Sequence, residues 1–263
     1  MNRIDRLFTD LKSDGRKALI AYLTGGYPSL AAMDRAVRDV VAAGVDLVEI
    51  GVPFSDPIAD GPTIQFSSQK ALESGITPAL LLAWVKKFRK THQTPIVLMT
   101  YMNPIQRMGL GTFARRAREA GVDGVIVPDL IIEEGQPLEK ALGPAGIHLI
   151  YLVAPTTPPE RRTKIAQRSR GFLYAVSLTG VTGARKTLPK ELGAFLTDVR
   201  RRSPVPVAVG FGISNAAQAR QAARHADGVI VGSAFIQRLK NREPLAPFAR
   251  SLRRALDTSS KEI

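Results

Sequence analysis

A glutamate interrupts an apolar run at Leu47-Val48-Glu49-Ile50-Gly51, and a second acid, Asp60, follows in the turn-forming sequence PFSDPIADGPTIQ (53–65). A carboxylate among residues that read as a buried strand is costly to ionise, so Glu49 is expected to hold its proton to an unusually high pH. Asp60 lies on a loop able to fold back over that strand and is expected to be better solvated and ionised. Two acids held in different protonation states suit general acid/base work on a small molecule. The plainer readings are a buried structural carboxylate paired with a base for Glu49, and an ordinary Asp-Gly-Pro turn for Asp60.

Two further segments bear on ligand binding. GFGIS (210–214) and VGSAF (231–235) each place glycine and serine where a strand gives way to a helix. Bare N–H groups at a helix start, with the helix dipole behind them, hold phosphate. SLTGVTGAR (177–185) is rich in small and hydroxyl residues and reads as a loop that closes over a ligand.

Other chemistries are disfavoured. The chain has no cysteine, so neither disulfides nor thiol nucleophiles are available. His92, His148 and His225 are scattered without ligand spacing, so no metal site is expected. No predicted strand end carries a lysine, which argues against a Schiff-base aldolase.

The elements that must position these groups are strongly patterned. Apolar, β-branched runs occur at Ala18–Leu23, Leu47–Gly51, Ile96–Tyr101, Gly124–Pro128, His148–Ala154, Phe172–Ser177, Val205–Gly210 and Gly228–Gly232. Stretches of helical periodicity separate them, among them Ala31–Ala43, Pro78–Thr91, Gly111–Ala120 and Leu188–Arg201. Regular alternation with near-continuous apolar strands predicts an α/β closed parallel barrel rather than an open doubly wound sheet. No linker or low-complexity tract divides residues 1–263, so a single domain is expected. In such a barrel the active site lies at the carboxyl ends of the strands, where Glu49, Asp60 and the glycine turns fall.

The first residues space Ile4, Leu7, Phe8 and Leu11 as one face of an amphipathic helix, read as a cap on the barrel and not as a secretory signal. No apolar run is long enough to span a bilayer, and with no cysteine a cytoplasmic protein is expected. The net charge of +14 comes from clusters such as Lys86-Lys87-Phe88-Arg89-Lys90, Arg115-Arg116 and Arg200-Arg201-Arg202. Dispersed over several helices and poor in aromatics, these read as solvated outer faces rather than a nucleic-acid surface, though a general positive field would attract a phosphorylated substrate.

Across nearly its whole length the chain resembles the α subunit of tryptophan synthase. The resemblance is carried by LVEIGVPFSDPIADGPTIQ (47–65), YMNP (101–104), VPDL (127–130), SLTGVTGAR (177–185), VGFGIS (209–214) and VGSA (231–234). It implies a (β/α)8 TIM barrel that cleaves indole-3-glycerol phosphate to indole and glyceraldehyde 3-phosphate in tryptophan biosynthesis. It implies a heterotetrameric α2β2 assembly, indole passing to a β subunit that holds pyridoxal phosphate, with no cofactor in this chain. It makes Glu49 and Asp60 the catalytic acids, with Tyr174 near Glu49 and Thr182 the threonine of the closing loop. It sets Gly183, Gly212, Gly232 and Ser233 around the phosphate, and Tyr22, Ile64, Met99, Ile126 and Phe211 around the indole. Pro53, Asp56 and Asn103 match positions facing the β subunit. Three departures stand out: PDLIIEE (128–134) where the family often has PDLPPEE, Leu178 where arginine is frequent, and the basic excess. A stand-alone lyase and a neighbouring phosphosugar barrel are the other enzyme readings.

Overall fold

The computed structural model describes residues 1–176, 191–210 and 212–259. Among these, nine parallel strands form one sheet: β1 (Ala18–Thr24), β2 (Leu47–Gly51), β3 (Ile96–Met99), β4 (Gly124–Ile126), β5 (His148–Ile150), β6 (Leu152–Val153), β7 (Leu173–Val176), β8 (Val207–Gly210) and β9 (Gly228–Val231). Their spatial order is β5-β4-β3-β2-β1-β9-β8-β7-β6. The two ends of that order are halves of one strand, parted only by Tyr151. β5 bonds to β4, β6 bonds to β7, and the Tyr151 carbonyl accepts the Tyr174 N–H at 3.0 Å. The sheet therefore returns to the strand it started from. The (β/α)8 TIM barrel expected from the sequence is present, with the single run read at 148–154 divided because its two halves serve different neighbours.

Helices α1 (Arg3–Ser13), α2 (Leu30–Ala42), α3 (Pro62–Glu73), α4 (Pro78–Phe88), α5 (Met102–Met108), α6 (Leu110–Ala120), α7 (Gln136–Leu142), α8 (Pro159–Arg168), α9 (Leu192–Arg202), α10 (Ala216–Ala223), α11 (Ser233–Lys240) and α12 (Leu245–Ser259) accompany the strands. Their ends follow local chemistry. Ser29 caps α2 by accepting the Ala32 N–H at 3.2 Å, and Thr77 caps α4 ahead of Pro78. Gly121 ends α6 in the left-handed region, φ 87°, and the chain turns at once toward β4. Two segments that the sequence does not mark as helical prove to be helix starts: 62–65 opens α3, and Met102 opens α5 within YMNP. In both, a proline sits in the first turn, where its missing N–H costs nothing. The predicted strand ends at 100–101 and 127–128 are irregular chain, and of the helix read at Leu188–Arg201, residues 188–190 lie outside the described residues.

β1 and β2 are buried along their whole length, which explains their unbroken apolar character. α1 closes the amino-terminal end of the barrel. Ile4 is fully buried against Gly124 and Gly171, Phe8 packs on Phe172 with centroids 5.8 Å apart, and Leu11 is buried beside them. Asn2 donates to the carbonyls of Asp123 and Gly146, and Arg3 pairs with Asp123 at 2.9 Å. The opposite, carboxyl-terminal end is where the predicted chemistry falls.

Candidate active site

Glu49 is the central residue of β2, paired in register with Tyr22 on β1 and Val97 on β3. Register partners in a parallel sheet point to one side, and residues two apart share a face. Tyr22, Glu49 and Gly51 therefore lie together, and so do Gly51, Met99 and Ile126 one step further on. A Cβ at Gly51 would collide with the Tyr22 hydroxyl, and one at Gly210 with the hydroxyl of Tyr174. Glycine at those points lets two tyrosines from different sides of the ring extend across the barrel end.

Glu49 is 1% exposed, and neither carboxyl oxygen has a hydrogen-bond partner among the described residues. Burial pushes its pKa up to about 8, with Asp60's charge adding to the rise. Among the described residues, the base that a purely structural carboxylate would need is not beside it.

Asp60 sits on the loop between β2 and α3. Its Oδ2 accepts the Tyr101 hydroxyl at 3.1 Å, and its backbone carbonyl accepts the Gln65 side chain at 2.9 Å. Asp60 is better solvated than Glu49, as expected, without being open to solvent. Asp60 is half-buried, and burial raises its pKa to about 6, partly offset by the Tyr101 hydrogen bond. At neutral pH Asp60 is still mainly ionised while Glu49 is mainly protonated, so the division of states survives with a narrower gap. Burial also holds the Tyr22 and Tyr174 hydroxyls well above their usual pKa, with Asp60 the next cause for Tyr22 and Glu49 for Tyr174. All four groups thus lie within electrostatic reach of one another.

Met99, Ile126 and Ile64, the last in the first turn of α3, are buried apolar residues of the same strand-end region. Across the ring, Gly232 is the N-cap of α11 and Ser233 its first residue, with no side chain capping the helix. Gly212 adopts φ 76°. The second glycine turn differs from the expected bare helix start. Asn215 caps α10 by accepting the Gln218 N–H at 2.9 Å, and the Ser214 N–H is taken by Gln218 Oε1 at 2.8 Å. The Ser214 and Gln218 amides are thus already used, whereas α11 has no side chain capping its start. Thr182, Gly183, Phe211 and the closing loop read at 177–185 lie outside the described residues.

Asp56 and Asn103 are exposed, whereas Pro53 is buried. Among the described residues no cluster of three or more His, Cys, Asp or Glu is placed to hold a metal. A cleft of about 880 Å³ at the opposite end, lined by residues such as Arg6, Asp10 and Arg118, includes none of the candidate site residues.

Comparison with known proteins fits this geometry. Residues 8–258 match the family described as tryptophan synthase alpha chain. The chain belongs to that family. The tryptophan synthase alpha chain of Carboxydothermus hydrogenoformans is 46% identical over 241 residues, covering 92% of this chain and 90% of the relative. That of Chloroflexus aggregans is 47% identical over 251 residues, covering 95% and 93%. The crystal structure of tryptophan synthase subunit alpha from Legionella pneumophila is similar with a TM-score of 0.90 at 37% identity, covering 98% of this chain and 99% of that one. A Mycobacterium tuberculosis tryptophan synthase chain gives 0.90 at 39% identity, covering 97% and 98%.

As a tryptophan synthase alpha chain, the protein is a lyase of tryptophan biosynthesis that cleaves indole-3-glycerol phosphate, and its family implies a β-subunit partner. No helix among the described residues is long and apolar enough to cross a membrane. Two residues of this site carried no role in the sequence reading: Tyr101, which donates to Asp60, and Asp129, which accepts the Met102 N–H at 3.0 and 3.1 Å. Both lie in quoted motifs, YMNP and VPDL. The available signal was a polar-tipped aromatic and an acid at adjacent strand ends.

Proposed function

We propose that Glu49 and Asp60 divide the retro-aldol cleavage between them. Glu49, entering as the neutral acid, protonates C3 of the indole ring. Positive charge spreads to the ring nitrogen, whose N–H the Asp60 carboxylate holds. The deprotonated Glu49 then takes the proton of the glycerol hydroxyl on the carbon next to the ring. The carbon–carbon bond breaks, its electrons return to the indole, and glyceraldehyde 3-phosphate leaves with Glu49 protonated again. Gly232 and Ser233 at the start of α11, with Gly212 and Gly183, are assigned to the phosphate. Tyr22, Ile64, Met99, Ile126, Tyr174 and Phe211 are assigned to the indole, and Thr182 to loop closure. These proton movements need no cofactor in this chain, and pyridoxal phosphate is assigned to the β subunit alone.

The observation that carries this reading is a buried, unpartnered Glu49 beside an ionised Asp60 at the barrel's carboxyl end. Asp56 and Asn103 are assigned to a β-subunit interface in a cytoplasmic α2β2 assembly that receives the indole. The test is indole release from indole-3-glycerol phosphate with and without a β subunit. Glu49→Gln and Asp60→Asn should each fold and lose roughly 10²- to 10⁴-fold in kcat. Near-native turnover by either variant would remove the corresponding role.

A further inference from the structure

The loops following β2, β3 and β4 are joined by a line of hydrogen bonds that ends on Asp60. In the β4 loop, both carboxylate oxygens of Asp129 accept the Met102 N–H, at 3.0 and 3.1 Å. That contact fixes the first residue of α5 and with it the preceding residue, Tyr101. The Tyr101 ring is buried and packs on Phe54 with centroids 5.1 Å apart, which leaves the phenol one direction to point. Its oxygen accepts the Ala59 N–H at 3.0 Å and its proton goes to Oδ2 of Asp60 at 3.1 Å. Because the amide occupies a lone pair of the phenol oxygen, the hydroxyl is held as a donor to the carboxylate.

We infer that Tyr101 is a positioning residue for the reaction: aimed by Asp129 through Met102, its hydroxyl holds one oxygen of Asp60 so that the other faces the indole N–H. The inference rests on the assignment of Asp60 as the group that receives that N–H. A hydrogen bond to a carboxylate favours the ionised, accepting form and removes the freedom to rotate away from substrate. The titratable groups facing Asp60 are Glu49 from β2, Tyr22 from β1, Tyr174 from β7 and Tyr101 itself. From α3, Gln65 meets only the backbone carbonyl and does not titrate. The tyrosines keep their protons throughout the working range, so among the described residues Glu49 is the only other group there whose charge changes.

The experiment compares wild type, Tyr101→Phe, Asp129→Ala and the double variant, each assembled with a β subunit and assayed for indole release across pH. Phenylalanine keeps the ring on Phe54 and removes only the hydroxyl with its two hydrogen bonds, so urea unfolding should stay cooperative with a modestly lowered midpoint. The expected result is a fall in kcat of about ten- to a hundredfold with KM within roughly threefold, because the phosphate anchor lies across the ring. The acid limb of the kcat profile should move to higher pH, since Asp60 loses the donor that favours its ionised form. Asp129→Ala should lose less, and the double variant should be no worse than Tyr101→Phe alone. Wild-type kcat and acid limb in Tyr101→Phe, while the wild type cleaves normally, overturns the inference. So does a slowed variant whose acid limb stays in place and whose loss adds to that of Asp129→Ala. A wild type that releases no indole sinks the acid-pair reading, and this inference with it.

Discussion

Glu49 shows how one residue serves chemistry at the expense of stability. Its carboxyl is protonated in the fold up to about pH 8, whereas in the unfolded chain it ionises near its ordinary value of 4.5. Between those values the folded state binds one proton more than the unfolded state, so stability falls as pH rises, by up to about 1.4 kcal/mol per unit. Glutamine at this position keeps the shape and removes the titration. Glu49→Gln should therefore be more stable than wild type at pH 7 to 8, with a difference that shrinks toward pH 5, read from urea midpoints across that range. A constant difference would mean that the carboxyl is not desolvated as described. Glu49's setting was legible because an acid within Leu, Val and Ile is conspicuous in one dimension. Asp60's was not: its burial and its tyrosine donor come from the loop after β3, which sequence spacing does not bring near. Tyr101 went unassigned because an aromatic at a strand end reads equally well as core.

At the scale of elements, hydrophobic period revealed the strands and most helices, since a strand buried on both faces and a helix buried on one leave different patterns. Hydrogen-bond partnership leaves no such pattern, so the division of the fifth barrel strand at Tyr151 could not be read. α3 and α5 were obscured by Pro62 and Pro104, which mark turns as readily as helix starts. The amino-terminal helix was legible from Ile4, Phe8 and Leu11, and its position gives a clean separation of stability from function. Ile4 is fully buried at the closed end, packed against Gly124 and Gly171 rather than on Glu49 or Asp60. Ile4→Ala should cost about 2–5 kcal/mol, from lost burial plus the cavity left behind. It should leave kcat for indole release unchanged at temperatures where the variant is folded. A matching loss of kcat in the folded variant would show that α1 reaches the chemistry.

For the molecule as a whole, the two barrel ends are unlike, and so are their uses. The positive clusters that were conspicuous in the sequence are dispersed among outer helices and partly neutralised: Arg162, Arg201 and Arg202 meet on Asp198, and Arg200 pairs with Asp227. The amino-terminal end is filled by α1. The carboxyl-terminal end instead presents exposed apolar side chains, Ile58 at 75% and Ile131 at 50%, on the loops after β2 and β4. Asp56 and Asn103 are exposed on the loops after β2 and β3. Ile132, the second isoleucine of the unusual PDLIIEE stretch, turns inward, so the departure from the family pattern adds one outward isoleucine rather than two. Exposed isoleucines beside an active-site mouth fit a surface that a β subunit covers, and each would contribute roughly 1.5–3 kcal/mol when fully buried. The paired change Ile58→Asp and Ile131→Asp should thus weaken β-subunit binding by at least about tenfold in a calorimetric titration, since burying an unpaired carboxylate adds a penalty to the lost contact. Indole release by the isolated chain should change much less than the partner-stimulated rate. Undiminished binding by the double variant would place the partner on another face, and the exposed isoleucines would then need a different explanation.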